Sequence, residues 1–289
     1  MVICMDDLNI GFLGFGLIGG SIARSIKEKH PGAVVQVYSR RKNPDLEEGQ
    51  KEGIITNIIY DIDSHFSSCD MIFLCAPVLK NIEFLQFLKP VIREDCIVTD
   101  VGSVKGNIHA VIKELGMERH FIGGHPMAGS EKTGYANSTA DLLNDSCYLL
   151  TPTESTSEDD LKRLLELLRC TGAKCIVLSP DEHDKVTAAI SHVPHIIAAS
   201  LVNMVQENDT SEQYMKQFAA GGFKDITRIA SSSPEMWENI CLSNKDSIDF
   251  FLSYFIDTLS TFRRLMADGD SEALKDIFKR AGQYRDSIL

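Results

Sequence analysis

Short apolar runs alternate with amphipathic stretches through the first half of the chain, and the alternation stops near Ser179-Pro180. Residues 8–13, 34–38, 71–76, 96–100, 121–123, 147–151 and 175–178 form runs of strand length, rich in β-branched and aromatic side chains. Between them, residues 17–29, 79–92, 104–115 and 157–170 carry apolar positions at helical spacing. Strands that alternate with helices specify a mostly parallel sheet covered on both faces. Serine followed by proline is a helix start, with serine as the cap and proline in the first turn. Beyond it the pattern predicts helices over 181–207, 211–220, 223–231, 234–242, 245–267 and 271–289, and no strand. The expected architecture is therefore an α/β domain over residues 1–178 followed by an all-α domain over residues 179–289.

Composition narrows the function classes. The 289 residues are 44% hydrophobic and 24% charged, and a single core rarely grows beyond about 250 residues, which favours two domains. A net charge of −12 argues against a nucleic-acid binder but leaves room for a small anionic substrate held by a few local cations. The eight cysteines form no C-x-x-C pair and several lie in apolar runs, which points to buried free thiols in a reducing compartment. The N-terminus carries no charged segment leading into an apolar one, and no uninterrupted apolar run approaches about 18 residues. The expectation is a soluble, cytoplasmic protein without membrane partners. The run 250–256, Phe-Phe-Leu-Ser-Tyr-Phe-Ile, carries more large apolar residues than one face of a small helical domain needs. It is either an interface with a second subunit or a helix buried within its own.

Two segments carry candidate chemistry. Gly14-Phe-Gly16-Leu17-Ile18-Gly19 follows the first predicted strand and opens the first predicted helix. Gly14 suits the tight turn, Gly16 the approach of a pyrophosphate, and Gly19 close helix–strand packing, while the helix N-terminus offers N–H groups and a positive dipole end. This is the dinucleotide-binding pattern of a Rossmann-type domain, and Ala76 and Pro77, closing the 71–76 run, are assigned to the same site. The second strand ends in Ser39-Arg40-Arg41, where an NAD site normally places a carboxylate for the ribose 2′-hydroxyl. A hydroxyl and guanidinium groups suit a 2′-phosphate and favour NADP over NAD. The alternative is solvated arginines, with Arg40 stacked on adenine.

The second segment is Gly-Gly-His125-Pro-Met-Ala-Gly-Ser130-Glu131, which places a histidine on a glycine-rich turn after the 121–123 run. Asp100-Val-Gly-Ser103-Val-Lys105 closes the preceding strand, so both segments should lie at the carboxyl edge of the sheet, where open α/β sheets bind ligands. Lys224 and Arg228 fall four apart on one helical face, among apolar and small residues that suggest partial burial. His192 and His195 have metal-pair spacing, but no further ligand completes a site and Pro194 should disturb the helix between them, so no metal is expected.

Taken in order, Gly16–Ser21, Asp100–Lys105, Gly124–Glu131, Ser191–His195 and Ala219–Ser232 resemble the prephenate dehydrogenase family of tyrosine biosynthesis across nearly the whole chain. The resemblance implies a helical dimerisation domain and oxidative decarboxylation of prephenate to 4-hydroxyphenylpyruvate with a nicotinamide cofactor. It implies His125 as the catalytic histidine and Ser103 as the serine supporting it and the substrate hydroxyl. It places Arg228 on a substrate carboxylate, Lys224, His195 and His183 along the pocket, and Ser130 and Glu131 at its mouth, with Trp237 near the entrance. Arogenate dehydrogenase, with an amine in place of the keto group, is the nearest alternative. A two-domain β-hydroxyacid dehydrogenase and a nucleotide-sensing regulator are more distant, since neither requires His125, Ser103 and Arg228 together.

Overall fold

The computed structural model describes residues 8–62, 65–129 and 132–288. Eight strands form one sheet: β1 (Asn9–Leu13), β2 (Val34–Tyr38), β3 (Asn57–Ile59), β4 (Met71–Leu74), β5 (Ile97–Asp100), β6 (Phe121–Pro126), β7 (Cys147–Pro152) and β8 (Lys174–Val177). Their spatial order is β3-β2-β1-β4-β5-β6-β7-β8. Every neighbouring pair is parallel except β6 with β7. Five helices connect the strands: α1 (Leu17–Lys29), α2 (Pro44–Lys51), α3 (Val78–Leu88), α4 (Gly106–Leu115) and α5 (Glu158–Leu168).

The strands are apolar on both faces because both faces are covered. In β4, Met71 and Phe73 join one buried cluster with Ile10, Phe12, Ile22 and Leu164. Ile72 and Leu74 join the other, with Leu85, Ile108 and Phe121. Successive side chains of a strand point to opposite faces, so one four-residue strand serves two cores.

Helices alone follow β8. These are α6 (Pro180–Thr187), a π-helical turn (Ala188–His192), α7 (Val193–Asn208), α8 (Tyr214–Phe218), α9 (Gly221–Thr227), α10 (Pro234–Ser243), α11 (Lys245–Asp268) and α12 (Ser271–Ser287). Ser179 caps α6 with a full capping box: its hydroxyl accepts from Glu182 N, and the Glu182 carboxylate accepts from Ser179 N. Pro194 disturbs the long helix without breaking it. The chain absorbs the missing N–H by widening to the π-turn just before it, and α6, the turn and α7 run on as one helix.

That helix, Pro180–Asn208, is long and apolar enough to span a bilayer by length and composition alone. Counting uninterrupted apolar residues in the sequence does not reveal it, because scattered polar residues divide the segment. Its first turns carry buried polar groups, His183, Asp184 and Thr187, bonded within the protein. Large apolar side chains stand exposed along the helical part of the chain, among them Phe250, Tyr254, Ile256 and Phe278.

The seven described cysteines are all free thiols, and burial pushes that of Cys69 up to about 12. Cys4 lies outside the described residues.

Candidate active site

Three neighbouring structures meet at the carboxyl edge of the sheet: the β1–α1 turn, the β5–α4 loop and the end of β6. His125 is not on a turn as the glycines suggested. It is a strand residue, paired with Leu149 of β7. The glycines before it serve close packing: a Cβ on Gly124 would lie 2.5 Å from the Asp100 carbonyl oxygen, and one on Gly123 would lie 2.2 Å from Thr151 Oγ1.

Beneath His125, Lys105 and Asp100 form an ion pair, both wholly or almost wholly buried. Asp100 Oδ1 accepts from Gly124 N at 3.0 Å, and Asp100 Oδ2 accepts from Gly102 N at 2.9 Å. Lys105 Nζ donates to the Gly124 carbonyl at 2.8 Å. The two peptide groups preceding His125 are thereby held from the loop of the neighbouring strand. Burial lowers the Lys105 pKa, and the Asp100 charge opposes that shift. Within this motif the resemblance points to Ser103 alone, whereas the structure shows Asp100 and Lys105 holding the segment that carries His125. An aspartate and a lysine closing one strand and opening the next helix were the available signal.

His125 Nδ1 lies 2.8 Å from His183 Nε2, and His183 Nδ1 lies 2.8 Å from Asp184 Oδ1. Asp184 Oδ1 accepts from Lys105 N at 2.7 Å, and Oδ2 from Gly106 N at 2.8 Å, at the N-terminus of α4. One expected placement changes here: His183 does not line the pocket, because it is fully buried behind His125 with both ring nitrogens engaged. Ser103 lies half-buried in the β5–α4 loop. Burial drives the His125 pKa well below its ordinary value, and His183, Lys105 and His192 push the same way. The imidazole is neutral at pH 7.

His195 stacks on Trp237 with ring centroids 3.9 Å apart, and its Nδ1–H donates to the Ser191 carbonyl. Its pKa is lowered, first by burial, and the nearby Arg228 charge adds to the shift. Arg228 opens a short turn, residues 228–231, that packs against α7, the helix that carries His195. His192 is buried, and Asn244 Nδ2 donates to its Nδ1 at 3.2 Å. Lys224 and Arg228 lie one turn apart at the end of α9, as their spacing predicted, but both are exposed rather than partly buried. Only Thr227 in that turn is buried. Ser130 and Glu131 lie outside the described residues.

Comparisons with known proteins identify the family. The prephenate dehydrogenase nucleotide-binding domain matches residues 22–177, and the prephenate dehydrogenase dimerization domain matches residues 179–280. The chain belongs to the prephenate dehydrogenase family. It is 39% identical over 282 residues to the prephenate dehydrogenase of Bacillus subtilis (strain 168), covering 95% of this chain and 74% of that one. It is 30% identical over 278 residues to the cyclohexadienyl dehydrogenase of Zymomonas mobilis, covering 96% and 94%. A crystal structure of prephenate dehydrogenase from A. aeolicus, in complex with hydroxyphenyl propionate and NAD+, superposes with a TM-score of 0.91 at 32% identity over 100% of both chains. Synechocystis arogenate dehydrogenase gives 0.87 at 28% identity, covering 98% of this chain and 100% of that one.

This family is one of NAD-dependent oxidoreductases, and the β1–α1 turn fits a dinucleotide. Gly14 has φ +87°, and a Cβ there would lie 2.4 Å from Ala76 N. A Cβ on Gly16 would meet nothing within 4 Å, so the space above the turn is open to a pyrophosphate. Leu17 and Ile18 begin α1, whose first turn carries no acidic residue to repel one. Gly19 packs against Cys75. Buried Asn81 fixes the β4–α3 loop beside it, accepting from Ala76 N at 3.1 Å and donating to the Leu74 carbonyl at 3.2 Å. Pro77 precedes α3 as its cap. At the end of β2, the Ser39 hydroxyl donates to the Arg41 carbonyl at 2.7 Å, and Arg40 and Arg41 are exposed. Neither arginine forms an ion pair with the described residues.

The lowered His125 pKa sets a pH dependence. A base that is already neutral stays competent as pH falls, until its own pKa is reached. The acid limb of kcat/KM assigned to His125 should therefore lie below about pH 6.5, the ordinary histidine value. Rate profiles of the wild-type enzyme check this. An acid limb centred above that value, and lost in a His125 variant, would contradict it.

Proposed function

We propose that this chain is an NAD(P)-dependent prephenate dehydrogenase that converts prephenate to 4-hydroxyphenylpyruvate and CO2. The observation that carries the reading is a half-buried neutral histidine, His125, at the carboxyl edge of the sheet that also bears the dinucleotide turn. Residues 1–178 form the nucleotide-binding domain and 179–289 the helical one.

Prephenate carries a carbinol, a ring carboxylate and a pyruvyl carboxylate. The bound nicotinamide supplies the hydride acceptor. His125 takes the hydroxyl proton as the carbinol C–H electrons leave as hydride, and the C–O bond gains double-bond character. The ring carboxylate leaves as CO2, the electrons of its C–C bond move through the ring onto the former carbinol oxygen, and the proton returned by His125 completes the phenol. Ser103, in the adjoining loop, is assigned to the same hydroxyl. Arg228 is assigned to a substrate carboxylate, with Lys224 one turn away as a second cation. Ser130 and Glu131 keep the substrate-binding roles that the resemblance gives them.

Replacing His125 by Asn removes the base while keeping a polar side chain of similar reach. We expect kcat with prephenate to fall by about 10²–10⁴-fold, with KM changed only a few-fold. Steady-state kinetics on prephenate and arogenate in parallel check both residue and substrate. A variant that keeps most of its kcat removes His125 from the mechanism, and a wild-type enzyme faster on arogenate makes that the substrate.

NADP is proposed as the preferred cofactor. Its 2′-phosphate would meet Ser39 and two exposed arginines, with no carboxylate at the end of β2. One charge-assisted contact is worth roughly 1.5–3 kcal/mol, or about 10–100-fold in kcat/KM. The double change Ser39→Asp with Arg40→Ala should reverse the preference. A wild-type enzyme that favours NAD would show that the arginines do not read the phosphate.

The exposed apolar side chains of α11 and α12 support a homodimer built on the helical domain. Light scattering should give a two-subunit mass at micromolar concentration, and a stable monomer there would contradict this.

A further inference from the structure

The base is assembled from both parts of the chain. His125 comes from the sheet, while His183 and Asp184 come from the first helix after it. We infer that Asp184 and His183 are positioning residues that fix the tautomer of His125, leaving its Nε2 as the proton acceptor.

The inference follows from donor and acceptor accounting along three groups. Asp184, as a carboxylate, only accepts. It takes the backbone N–H groups of Lys105 and Gly106, and the bond from His183 Nδ1 must therefore also be donated to it. With its hydrogen on Nδ1, the His183 imidazole presents a lone pair at Nε2. That lone pair faces His125 Nδ1 at 2.8 Å, so His125 Nδ1 carries the hydrogen and donates. The neutral His125 ring then holds its only lone pair at Nε2. When Nε2 takes the substrate proton, the Nδ1–H bond to His183 and the Asp184 charge behind it stabilise the imidazolium.

Among the described residues this chain of bonds is shielded from solvent, because His183 is fully buried and Asp184 nearly so. Among the described residues, the charged and titratable groups around His125 are His183 and Asp184 from α6, His192 from the π-turn, and Lys105 and Asp100 from beneath. Asp184 also holds the first N–H groups of α4, so one carboxylate both sets the tautomer and locks the helical domain against the β5–α4 loop. Asn244 reinforces it by donating to the Asp184 carbonyl at 2.7 Å. Loss of this arrangement would separate the base from its support without removing the base.

This inference rests on the proposed role of His125 but is tested apart from it. Histidine-selective ¹⁵N labelling of the wild-type enzyme, with His125 assigned by the signal missing from the His125→Asn variant, reads the tautomer directly. Nδ1 of His125 should be protonated and Nε2 not; protonation at Nε2, or a doubly protonated His183, would overturn the inference.

The variant Asp184→Asn can turn an amide N–H toward His183. That moves the His183 hydrogen to Nε2 and forces His125 into the opposite tautomer. Its kcat should fall by about 10²–10⁴-fold with KM for prephenate and cofactor affinity within about three-fold, and its His125 signals should switch. A kcat within a few-fold of wild type would overturn the inference. A variant that fails to fold leaves the wild-type spectrum to decide. Absence of prephenate turnover by the wild-type enzyme would instead sink the functional reading, and the spectrum would still settle the tautomer.

Discussion

The buried pair of Asp100 and Lys105 is the interaction on which the rest of the site depends. Two charges removed from water are costly, and they persist only where attraction and hydrogen bonds replace the lost hydration. Here Asp100 accepts from Gly102 and Gly124 as well as from Lys105, and Lys105 also reaches the Gly124 carbonyl. Their partners are thus mostly backbone groups of the two segments that build the site. The pair converts charge burial into geometric definition: the peptide before His125 has one position, and a glycine is required there because a Cβ would strike the Asp100 carbonyl. Removing either charge would leave the other buried and uncompensated.

A second carboxylate, Asp184, extends this order into the helical part of the chain. The sheet carries His125 and the glycine turn, and the first helix after it supplies His183 and Asp184 behind that ring. The join between them is polar and buried. Asn107 Nδ2 donates to Ser243 Oγ, and Asp184 caps α4 from the opposite side of the join. Such bonds carry direction, so the relative placement of the two parts is specified more tightly than apolar contact alone would achieve.

Much of this was legible in the sequence where a residue's role is local. The glycine turn, the alternation of strands and helices, the change at Ser179-Pro180 and the family resemblance rest on spacing and on neighbouring residues. Two elements escaped notice. β3 is a three-residue edge strand, too short for alternation to show. In α2 only Leu46 and Gly49 are buried, so it has no apolar stripe, although Asn43 and Pro44 are a cap and a first-turn proline. His125 was read onto a turn because glycines usually mark turns, whereas here they allow close packing beside Asp100 and Thr151. The position of His183 was not legible, because its partner lies 58 residues away and only folding brings the two rings together. The exposure of Lys224 and Arg228 was misjudged for a related reason: apolar neighbours on a helix show that some face is covered, not which one.

The central claim is that a neutral base beside a dinucleotide turn drives an oxidation coupled to loss of CO2. The most direct measurement is the stoichiometry of a single reaction with prephenate and NAD(P), following reduced nicotinamide, released CO2 and 4-hydroxyphenylpyruvate together. The account predicts that the three form in equal amounts and at one rate, because proton removal, hydride departure and aromatisation belong to the same event. Reduced nicotinamide appearing without CO2, or no reduction at all, would contradict it.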